Sequence, residues 1–458
     1  MTSMAFKGGR LEGRTSPPPS KSHTHRAFFL ASMADGTSRV SNALMSADTK
    51  ATLAACVAMG AKASEKDGVW TIEGGDLHAP GHVNAENSGT TMRIFAGISS
   101  MFDGETVIDG DDSLRKRPMG PLLQALESTG ARCSSNGGLP PVSIRGPNRG
   151  GRVSIGGDVS SQFITSLLMV SPMLENDSEV TVTGNMVSAP YLDVTTHMMR
   201  LFGADASRDG NVFRIRGGTG YVPHDYMVPA DFSSAAFPLV AGALGGRVTV
   251  TGMDMDDPQG DKAIVDILRR AGAEVVCEGS EITVSRSELR GCEVDMGDVP
   301  DLFPITAVLL STAEGDSRLY GAPQLKFKES NRIETVVNMI NAIDGDAEAT
   351  DDGCIIHGRP RLTGGAIVHK GDHRIMMSAV VASIVCDGPV TMDDVECCAV
   401  SYPGFPEAMA ALGMEEEVLR CTRPGRDSDS RCSARATDPS WEASSKGSRQ
   451  GSRSTAMR

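Results

Sequence analysis

Cationic and hydroxyl side chains stand just before apolar, helix-like runs at several places in this 458-residue chain. The first such segment is "SKSHTHRAFFLASM", where Ser20 is a candidate N-cap and Lys21, Ser22 and Arg26 follow in the first turns of a predicted helix. The free N–H groups and the dipole of a helix N-terminus favour anions, so a cation there is unfavourable unless an anion binds. The segment indicates either an anion site or a solvated basic helix start.

Three further segments in the first half of the chain repeat this layout. They are "ENSGTTMRIFAGI", "DSLRKRPMGPLL" and "GDVSSQFITSLL", which contribute Gly89, Thr90, Arg93, Arg115, Lys116, Arg117, Ser160, Ser161 and Gln162. The second is predicted to carry Pro118 in the first turn of its helix. Ordinary helix capping explains each segment alone, but their recurrence favours a shared ligand.

The second half of the chain adds carboxylates to the same pattern. The segments "GDVPDLFPITAVLL", "LKFKESNRIETV" and "KGDHRIMMSAVVAS" contribute Asp301, Lys328, Glu329, Arg332, His373 and Arg374. The simplest interpretation is a small, multiply anionic ligand bound between two domains, with Asp301 and Glu329 available for proton transfer.

The overall composition argues against several other classes of protein. Lys and Arg number 44 against 58 Asp and Glu, a net charge of -14, which disfavours a nucleic-acid-coating surface. No run of 18 or more apolar residues is present, and the first residues lack the apolar core of a signal peptide, so we expect a cytoplasmic protein with no membrane partner. The ten cysteines form no CxxC pair and no Cys/His ligand spacing, which predicts no metal site.

A repeat organises these segments. Six amphipathic, helix-like stretches each run into a glycine, and these glycines are Gly60, Gly130, Gly203, Gly272, Gly345 and Gly413, with gaps of 70, 73, 69, 73 and 68 residues. Short β-rich runs follow most of them, so each unit is predicted to be a mixed helix and strand module. Six units divide naturally into two domains of three, with crossings at "SPPPS" and near residues 226–234. Residues 420–458, of which 17 are Ser or Arg, are predicted to be disordered.

The motifs together resemble the 5-enolpyruvylshikimate-3-phosphate synthase family over about residues 5–415. They are "SKSHTHR", "NSGTTMR", "RKRPMGPL", "SSQFITSLLM", "SAPYLDVT", "KESNR", "DHRIMM" and "VSYPGF", in the family's order. The resemblance implies a mixed α/β fold of two similar domains, each an inverse α/β barrel of three βαβαββ repeats, joined by a two-strand hinge. Residues 1–19 and 229–415 would form one domain, 20–228 the other, and 416–458 a tail.

The resemblance also implies a reaction. The enolpyruvyl group of phosphoenolpyruvate would be transferred to the 5-hydroxyl of shikimate 3-phosphate by addition and elimination, with release of phosphate and without metal or other cofactor. The partners would be these two small molecules, with no nucleic acid, and the protein would be a monomer. Glyphosate, which competes with phosphoenolpyruvate in this family, would be an inhibitor, with Gly89 leaving it room.

Roles are carried over by matching position. The catalytic residues would be Lys21, Asp301 and Glu329, with Asp301 taking the 5-hydroxyl proton and Glu329 serving C3. Shikimate 3-phosphate would be bound by Lys21, Ser22, Arg26, Ser160, Ser161, Gln162, Ser188, Asp301, Gln324 and Lys328. Phosphoenolpyruvate would be bound by Lys21, Gly89, Thr90, Arg117, Gln162, Arg332 and Arg374.

Three positions depart from the family's common pattern, and two rival functions stay open. Gln324 stands where many bacterial members have Asn, Val400 stands where they have a lysine for phosphoenolpyruvate, and Asn331 stands where Asp or Glu is common. The first rival is the sister enzyme that uses UDP-N-acetylglucosamine, which typically carries a reactive cysteine in the loop where this chain has "DGDDSLRKRPMG". The second is a non-catalytic RNA-binding or scaffold relative, which the acidic charge opposes.

Overall fold

The structure, a computed structural model, describes residues 3–419. The strands are β1 Ser3–Lys7, β2 Leu11–Thr15, β3 Thr37–Ser41, β4 Lys62–Lys66, β5 Val69–Glu73, β6 Gly81–Asn84, β7 Glu105–Asp109, β8 Arg132–Asn136, β9 Leu139–Arg145, β10 Gly151–Gly156, β11 Ser178–Thr183, β12 Ala206–Asp209, β13 Val212–Ile215, β14 Tyr226–Met227, β15 Gly246–Thr251, β16 Glu274–Glu278, β17 Glu281–Ser285, β18 Glu293–Asp295, β19 Asp316–Tyr320, β20 Ala347–Ala349, β21 Cys354–His357, β22 Gly365–Ala366, β23 Val390–Asp393 and β24 Glu415–Leu419.

The helices alternate with these strands. They are α1 Lys21–Met33, α2 Ala47–Ala58, α3 Gly89–Ser99, α4 Gly120–Ser128, α5 Ser161–Val170, α6 Pro190–Leu201, α7 Phe232–Gly245, α8 Ile264–Arg270, α9 Phe303–Leu310, α10 Arg332–Ala342, α11 His373–Ala382 and α12 Phe405–Ala411. Within residues 3–419, none of them has the length and apolar character that crossing a bilayer requires.

The strands form six four-stranded sheets that share one topology. In each, two neighbouring strands are parallel and two further pairings are antiparallel, as in β10-β11-β13-β12 and β6-β7-β9-β8. Three sheets are built from contiguous βαβαββ units, for example β6-α3-β7-α4-β8-β9. The other three each take one strand from a distant part of the chain: β1, β2 or β14. The predicted six-repeat organisation is confirmed.

The periodic glycines end the second helix of each repeat. Five of the six have a positive φ, between 86° and 115°, which L side chains rarely adopt. Gly345 is the exception, because Asp344 takes the left-handed conformation one residue earlier, at a φ of 65°. An Asp can do this since its short polar side chain tolerates that region.

Replacing Gly60 with alanine is therefore expected to destabilise the protein. Its φ is 115°, and an added Cβ would lie 2.3 Å from the carbonyl oxygen of Asp76. We expect a loss of about 1–3 kcal/mol in the free energy of unfolding, measured by urea denaturation. Gly68→Ala is the matched control, because its φ of 77° is also positive but its Cβ would meet nothing within 4 Å. An equal loss in both variants would contradict the role assigned to the Asp76 contact.

The buried apolar side chains separate into two clusters. One contains residues between 27 and 228, and the other contains Phe6, Leu11 and residues between 232 and 414. The chain passes between them at two adjacent segments, where Pro19 pairs with Ala230 and the Ser20 N–H donates to the Pro229 carbonyl at 2.8 Å. This division supports the domain boundaries predicted at residues 19/20 and 228/229, which we retain as a proposal.

Two local expectations need adjustment. The helix after Arg117 begins at Gly120, so Pro118 precedes the helix, and Pro121 occupies its first turn instead. Residues 416–419 belong to β24, which pairs antiparallel with β1. The remainder of the predicted tail, residues 420–458, lies outside the described residues.

Candidate active site

The residues singled out in the sequence meet in one cleft between the two apolar clusters. All sixteen line it: Lys21, Ser22, Arg26, Gly89, Thr90, Arg117, Ser160, Ser161, Gln162, Ser188, Asp301, Gln324, Lys328, Glu329, Arg332 and Arg374. Asp48, Arg93, Val159, Val187, Tyr191, Phe327 and His373 complete the lining.

Four first helices of the repeats, α1, α3, α5 and α11, begin with residues that line this cleft, α7 begins at a small cavity beside it, and the caps differ between the two halves. Ser20, Ser88 and Ser160 cap α1, α3 and α5, each accepting a backbone N–H with its hydroxyl oxygen. Asp231 and Asp372 cap α7 and α11 with carboxylates. One wall therefore presents helix N-termini with neutral caps, which suits anions, whereas carboxylates are built into the other wall.

The wall that residues 21–191 form, here called the N-terminal wall, holds its cations with polar partners. Lys21 Nζ lies 3.1 Å from Asp48 Oδ2, a contact that reaches from α1 to α2. The Arg26 guanidinium is buried and donates to Thr195 Oγ1 at 2.9 Å and to the Ser22 and Tyr191 carbonyls at 3.0 and 3.2 Å. Both cations are thus held by contacts within the protein.

A second set of contacts ties α3 to α5. Arg93 Nη1 donates to Gln162 Oε1 at 2.7 Å, and Gln162 Nε2 donates to Thr90 Oγ1 at 2.9 Å. Arg117 donates to Asn87 Oδ1 at 2.5 Å. Arg115 pairs instead with Asp109 at the surface, at a distance of 2.7 Å. Of the three consecutive cations Arg115, Lys116 and Arg117, only Arg117 lines the cleft.

Arg332 is the centre of the opposite wall. It is only 1% exposed, yet its guanidinium contacts three carboxylates: Asp372 at 2.9 Å, Asp301 at 2.8 Å and Glu329 at 2.8 Å. Such a buried cation is tolerated because its charge is compensated and its N–H groups are used. Arg332 therefore fixes both candidate proton-transfer carboxylates.

Asp301 is surrounded by donors. Its Oδ2 lies 3.1 Å from Arg374 Nη2 and 3.3 Å from the Tyr191 hydroxyl, and its Oδ1 lies 3.6 Å from Lys328 Nζ. Burial acts to raise the pKa of Asp301, but Arg374, Lys328 and Arg332 outweigh it and hold the pKa well below its ordinary value. Asp301 is consequently ionised.

Glu329 faces cations from both walls. Burial acts to raise its pKa, but Arg332 and then Arg117 hold the pKa well below its ordinary value. The nearest approach between Glu329 and Arg117 is 4.0 Å, from Oε1 to Nη1. His373 beside them is neutral, because burial, Lys21 and Arg374 lower its pKa to about 3.

The walls also meet through backbone at Ser188. This residue has a φ of 57° and donates its N–H to the Gly297 carbonyl at 2.9 Å, to which Gln324 Nε2 also donates, at 3.2 Å. Gln324 Oε1 is buried without a partner. Val400 lies at a neighbouring depression that also includes Asp48, Lys50 and Asn87.

Two residues that line the cleft, Tyr191 and Asp48, were not predicted from the sequence. Tyr191 lies within the quoted motif "SAPYLDVT" and could have been found there, whereas Asp48 comes from α2, whose sequence carries no comparable signal. Within residues 3–419, no group of three or more His, Cys, Asp or Glu side chains is arranged to hold a metal ion.

Comparisons with known proteins agree with this geometry. Residues 6–409 match the family described as EPSP synthase (3-phosphoshikimate 1-carboxyvinyltransferase). A protein of that name from Methanocorpusculum labreanum is 46% identical over 414 residues, covering 89% of this chain and 98% of the relative. One from Halobacterium salinarum is 42% identical over 422 residues, covering 89% and 98%.

A solved structure extends the agreement to the fold. EPSP synthase from Acinetobacter baumannii superposes with a TM-score of 0.79 at 30% identity, covering 92% of this chain and all of that one. The predicted α/β fold of two similar domains is confirmed. This chain belongs to the EPSP synthase family.

Proposed function

We propose that this protein transfers the enolpyruvyl group of phosphoenolpyruvate to the 5-hydroxyl of shikimate 3-phosphate, the sixth step of the shikimate pathway towards chorismate and the aromatic amino acids. The substrate oxygen bonds to C2, its proton leaves, and C3 is protonated. A proton then leaves C3 as the C2–O bond to phosphate breaks, giving 5-enolpyruvylshikimate 3-phosphate and phosphate.

The observation that carries this proposal is the charge of the cleft. Seven cationic side chains line it against three carboxylates, an excess of four positive charges in a chain whose net charge is -14. Such a local excess of positive charge favours the binding of two multiply charged anions, and preorganised cations stabilise charge that develops during the reaction without reorganising.

We assign the proton steps to three residues. Asp301 accepts the proton of the 5-hydroxyl, since its neighbouring cations keep it ionised. Glu329 serves C3 together with Lys21. Binding of two anions compensates the cations that lower the pKa of Glu329, so Glu329 gains affinity for a proton when the substrates are in place.

We assign substrate contacts by wall. Shikimate 3-phosphate is bound by Lys21, Ser22, Arg26, Ser160, Ser161, Gln162, Ser188, Asp301, Gln324 and Lys328, and phosphoenolpyruvate by Lys21, Gly89, Thr90, Arg117, Gln162, Arg332 and Arg374. Arg93 lies among the second set and is added to it. We further propose a cytoplasmic monomer that acts on small molecules and not on nucleic acid.

The test is release of phosphate by the purified protein. Release is expected with phosphoenolpyruvate and shikimate 3-phosphate together, and not with either alone. UDP-N-acetylglucosamine as acceptor tests the sister reaction, which the absence of cysteine between Asp109 and Arg117 disfavours. A folded sample that releases no phosphate with either acceptor, and instead binds RNA in a salt-dependent manner, would overturn the proposal.

Replacing Gly89 with alanine is expected to weaken phosphoenolpyruvate binding. An added Cβ would lie 3.0 Å from Arg117 Nη1, so this guanidinium must move away from its position. We expect KM for phosphoenolpyruvate to rise by about tenfold, the effect of about 1.4 kcal/mol, and inhibition by glyphosate to weaken with it. Gly120→Ala, whose Cβ would meet only Gly138 Cα at 3.8 Å, is the control in the same steady-state assay. An unchanged KM in Gly89→Ala would contradict the prediction.

A further inference from the structure

A buried carboxyl group lies close to the cleft without lining it. Asp261 belongs to the short turn Gly260–Ala263 before α8 and is 6% exposed. It lines a small cavity next to the cleft, together with Ser22 and Tyr191. Its Oδ2 contacts the Tyr191 hydroxyl at 3.1 Å, and its Oδ1 is buried without a partner.

The Tyr191 hydroxyl thus stands between two carboxyl groups. It lies 3.1 Å from Asp261 Oδ2 and 3.3 Å from Asp301 Oδ2. A phenol has one hydrogen, so it can donate to only one of the two at a time. If both carboxyl groups were ionised, one of them would face the phenol oxygen with no hydrogen between them, which is unfavourable in a buried site.

A single proton on Asp261 satisfies both contacts of the Tyr191 hydroxyl. Neutral Asp261 donates to the Tyr191 oxygen, and Tyr191 then donates to ionised Asp301. The opposite arrangement, with the proton on Asp301, is disfavoured because Arg332 and Arg374 lie 2.8 and 3.1 Å from that carboxylate. Asp261 has no such guanidinium contact among the hydrogen bonds and ion pairs of residues 3–419.

We propose that Asp261 is a positioning residue whose neutral carboxyl group orients the Tyr191 hydroxyl towards Asp301. The inference deepens the proposed function and rests on it, because Asp301 is there the base for the 5-hydroxyl. Tyr191 supplies Asp301 with a neutral donor that adds no further charge. When Asp261 loses its proton it competes for that donor, and Asp301 keeps its contacts with Arg332 and Arg374 but loses the hydrogen bond from Tyr191.

The charges around Asp261 agree with this assignment. The groups that face it are Tyr191 of α6, Asp301 before α9, Arg374 of α11, Asp231 before α7 and, across the small cavity, His23 of α1. Burial and then Asp301 raise the pKa of Asp261 to about 7, against the opposing effect of Arg374. Burial lowers the pKa of His23 to about 3, so His23 adds no charge. Burial also raises the pKa of Tyr191, which keeps the phenol a donor.

The direction of the pH effect follows. Below about pH 7 Asp261 is neutral and activity is full, whereas above it Asp261 ionises and activity falls. The wild-type pH profile of kcat should therefore bend downwards near pH 7. In D261N the amide keeps a donor for Tyr191 but cannot ionise, so the ratio of mutant to wild-type kcat should rise by up to about tenfold per pH unit above 7. D261A, which removes the donor, should be slower than D261N at every pH.

Two further measurements keep the inference falsifiable. Infrared spectra should contain a protonated carboxyl band that titrates near pH 7 and is absent in D261N. D257N, at a nearby half-buried carboxyl without contact to Tyr191, should keep both the band and the bend. Wild-type turnover with a bend that persists in D261N would overturn this inference alone, whereas absence of wild-type turnover would overturn the proposed function.

Discussion

Replacing Glu329 with glutamine is expected to lower kcat by about 10²- to 10⁴-fold, the usual contribution of a general acid or base. Glutamine keeps the size of the side chain and an oxygen for Arg332, which lies 2.8 Å from Glu329 in the wild type. It cannot take up or give the C3 proton. Since geometry is retained and only proton transfer is removed, KM for both substrates should change much less than kcat.

The assay is continuous phosphate release at saturating substrates, with thermal unfolding recorded in parallel. Glu334→Gln is the control, because Glu334 follows five residues later, in the first turn of α10, but is exposed. It should retain wild-type kcat. A Glu329→Gln enzyme within about tenfold of the wild type would remove Glu329 from the proton transfers at C3 and leave them to Lys21.

The repeat could be predicted because its signal is local. A glycine that ends a helix is selected by its own backbone conformation, so Gly60, Gly130 and Gly413 mark module ends whatever packs around them. The order of strands within each sheet could not be read in the same way. Three sheets borrow a strand across more than a hundred residues, as when β2 pairs with β15, and no local pattern reports such a pairing.

The site residues also fall into those that a local sequence signal identifies and those that only the fold brings into place. Charged residues at helix starts, such as Lys21 and Arg374, could be found because a cation at a helix N-terminus contradicts the local preference. Their recurrence in both halves predicted a shared cleft between two domains, whereas the substrates and the role of each residue required the resemblance. Asp48 and Asp261 were missed because neither breaks a local rule, and each acquires its role only from a side chain brought near by the fold.

The second large effect is expected on stability, at Arg332. Replacing it with methionine should lower the free energy of unfolding by about 3–5 kcal/mol, the cost of removing one partner from a buried ion pair. Arg332 is 1% exposed and contacts Asp301, Glu329 and Asp372. Methionine fills part of the volume but leaves these carboxylates buried without their shared cation. Turnover should be lost as well, because two of the three are assigned to proton transfer.

The pH dependence of that loss distinguishes charge from packing. In the wild type the pKa values of Asp301 and Glu329 are held below their unfolded values, so these groups stabilise the fold above about pH 4, and this contribution falls away as pH decreases. Without Arg332 the effect of burial on them is less opposed, and their folded pKa values rise. The stability difference should be largest at neutral pH and shrink towards pH 5.

Calorimetric or urea unfolding at pH 7 and pH 5 measures this difference. Arg359→Met is the matched control: Arg359 also contacts two carboxylates, Asp344 at 3.6 Å and Asp346 at 3.2 Å, but its side chain is 41% exposed. Water solvates its partners once the arginine is gone, so the expected loss is below about 1 kcal/mol. A loss at Arg332 that does not change with pH would assign the destabilisation to lost packing, since only uncompensated carboxylates are relieved by acid.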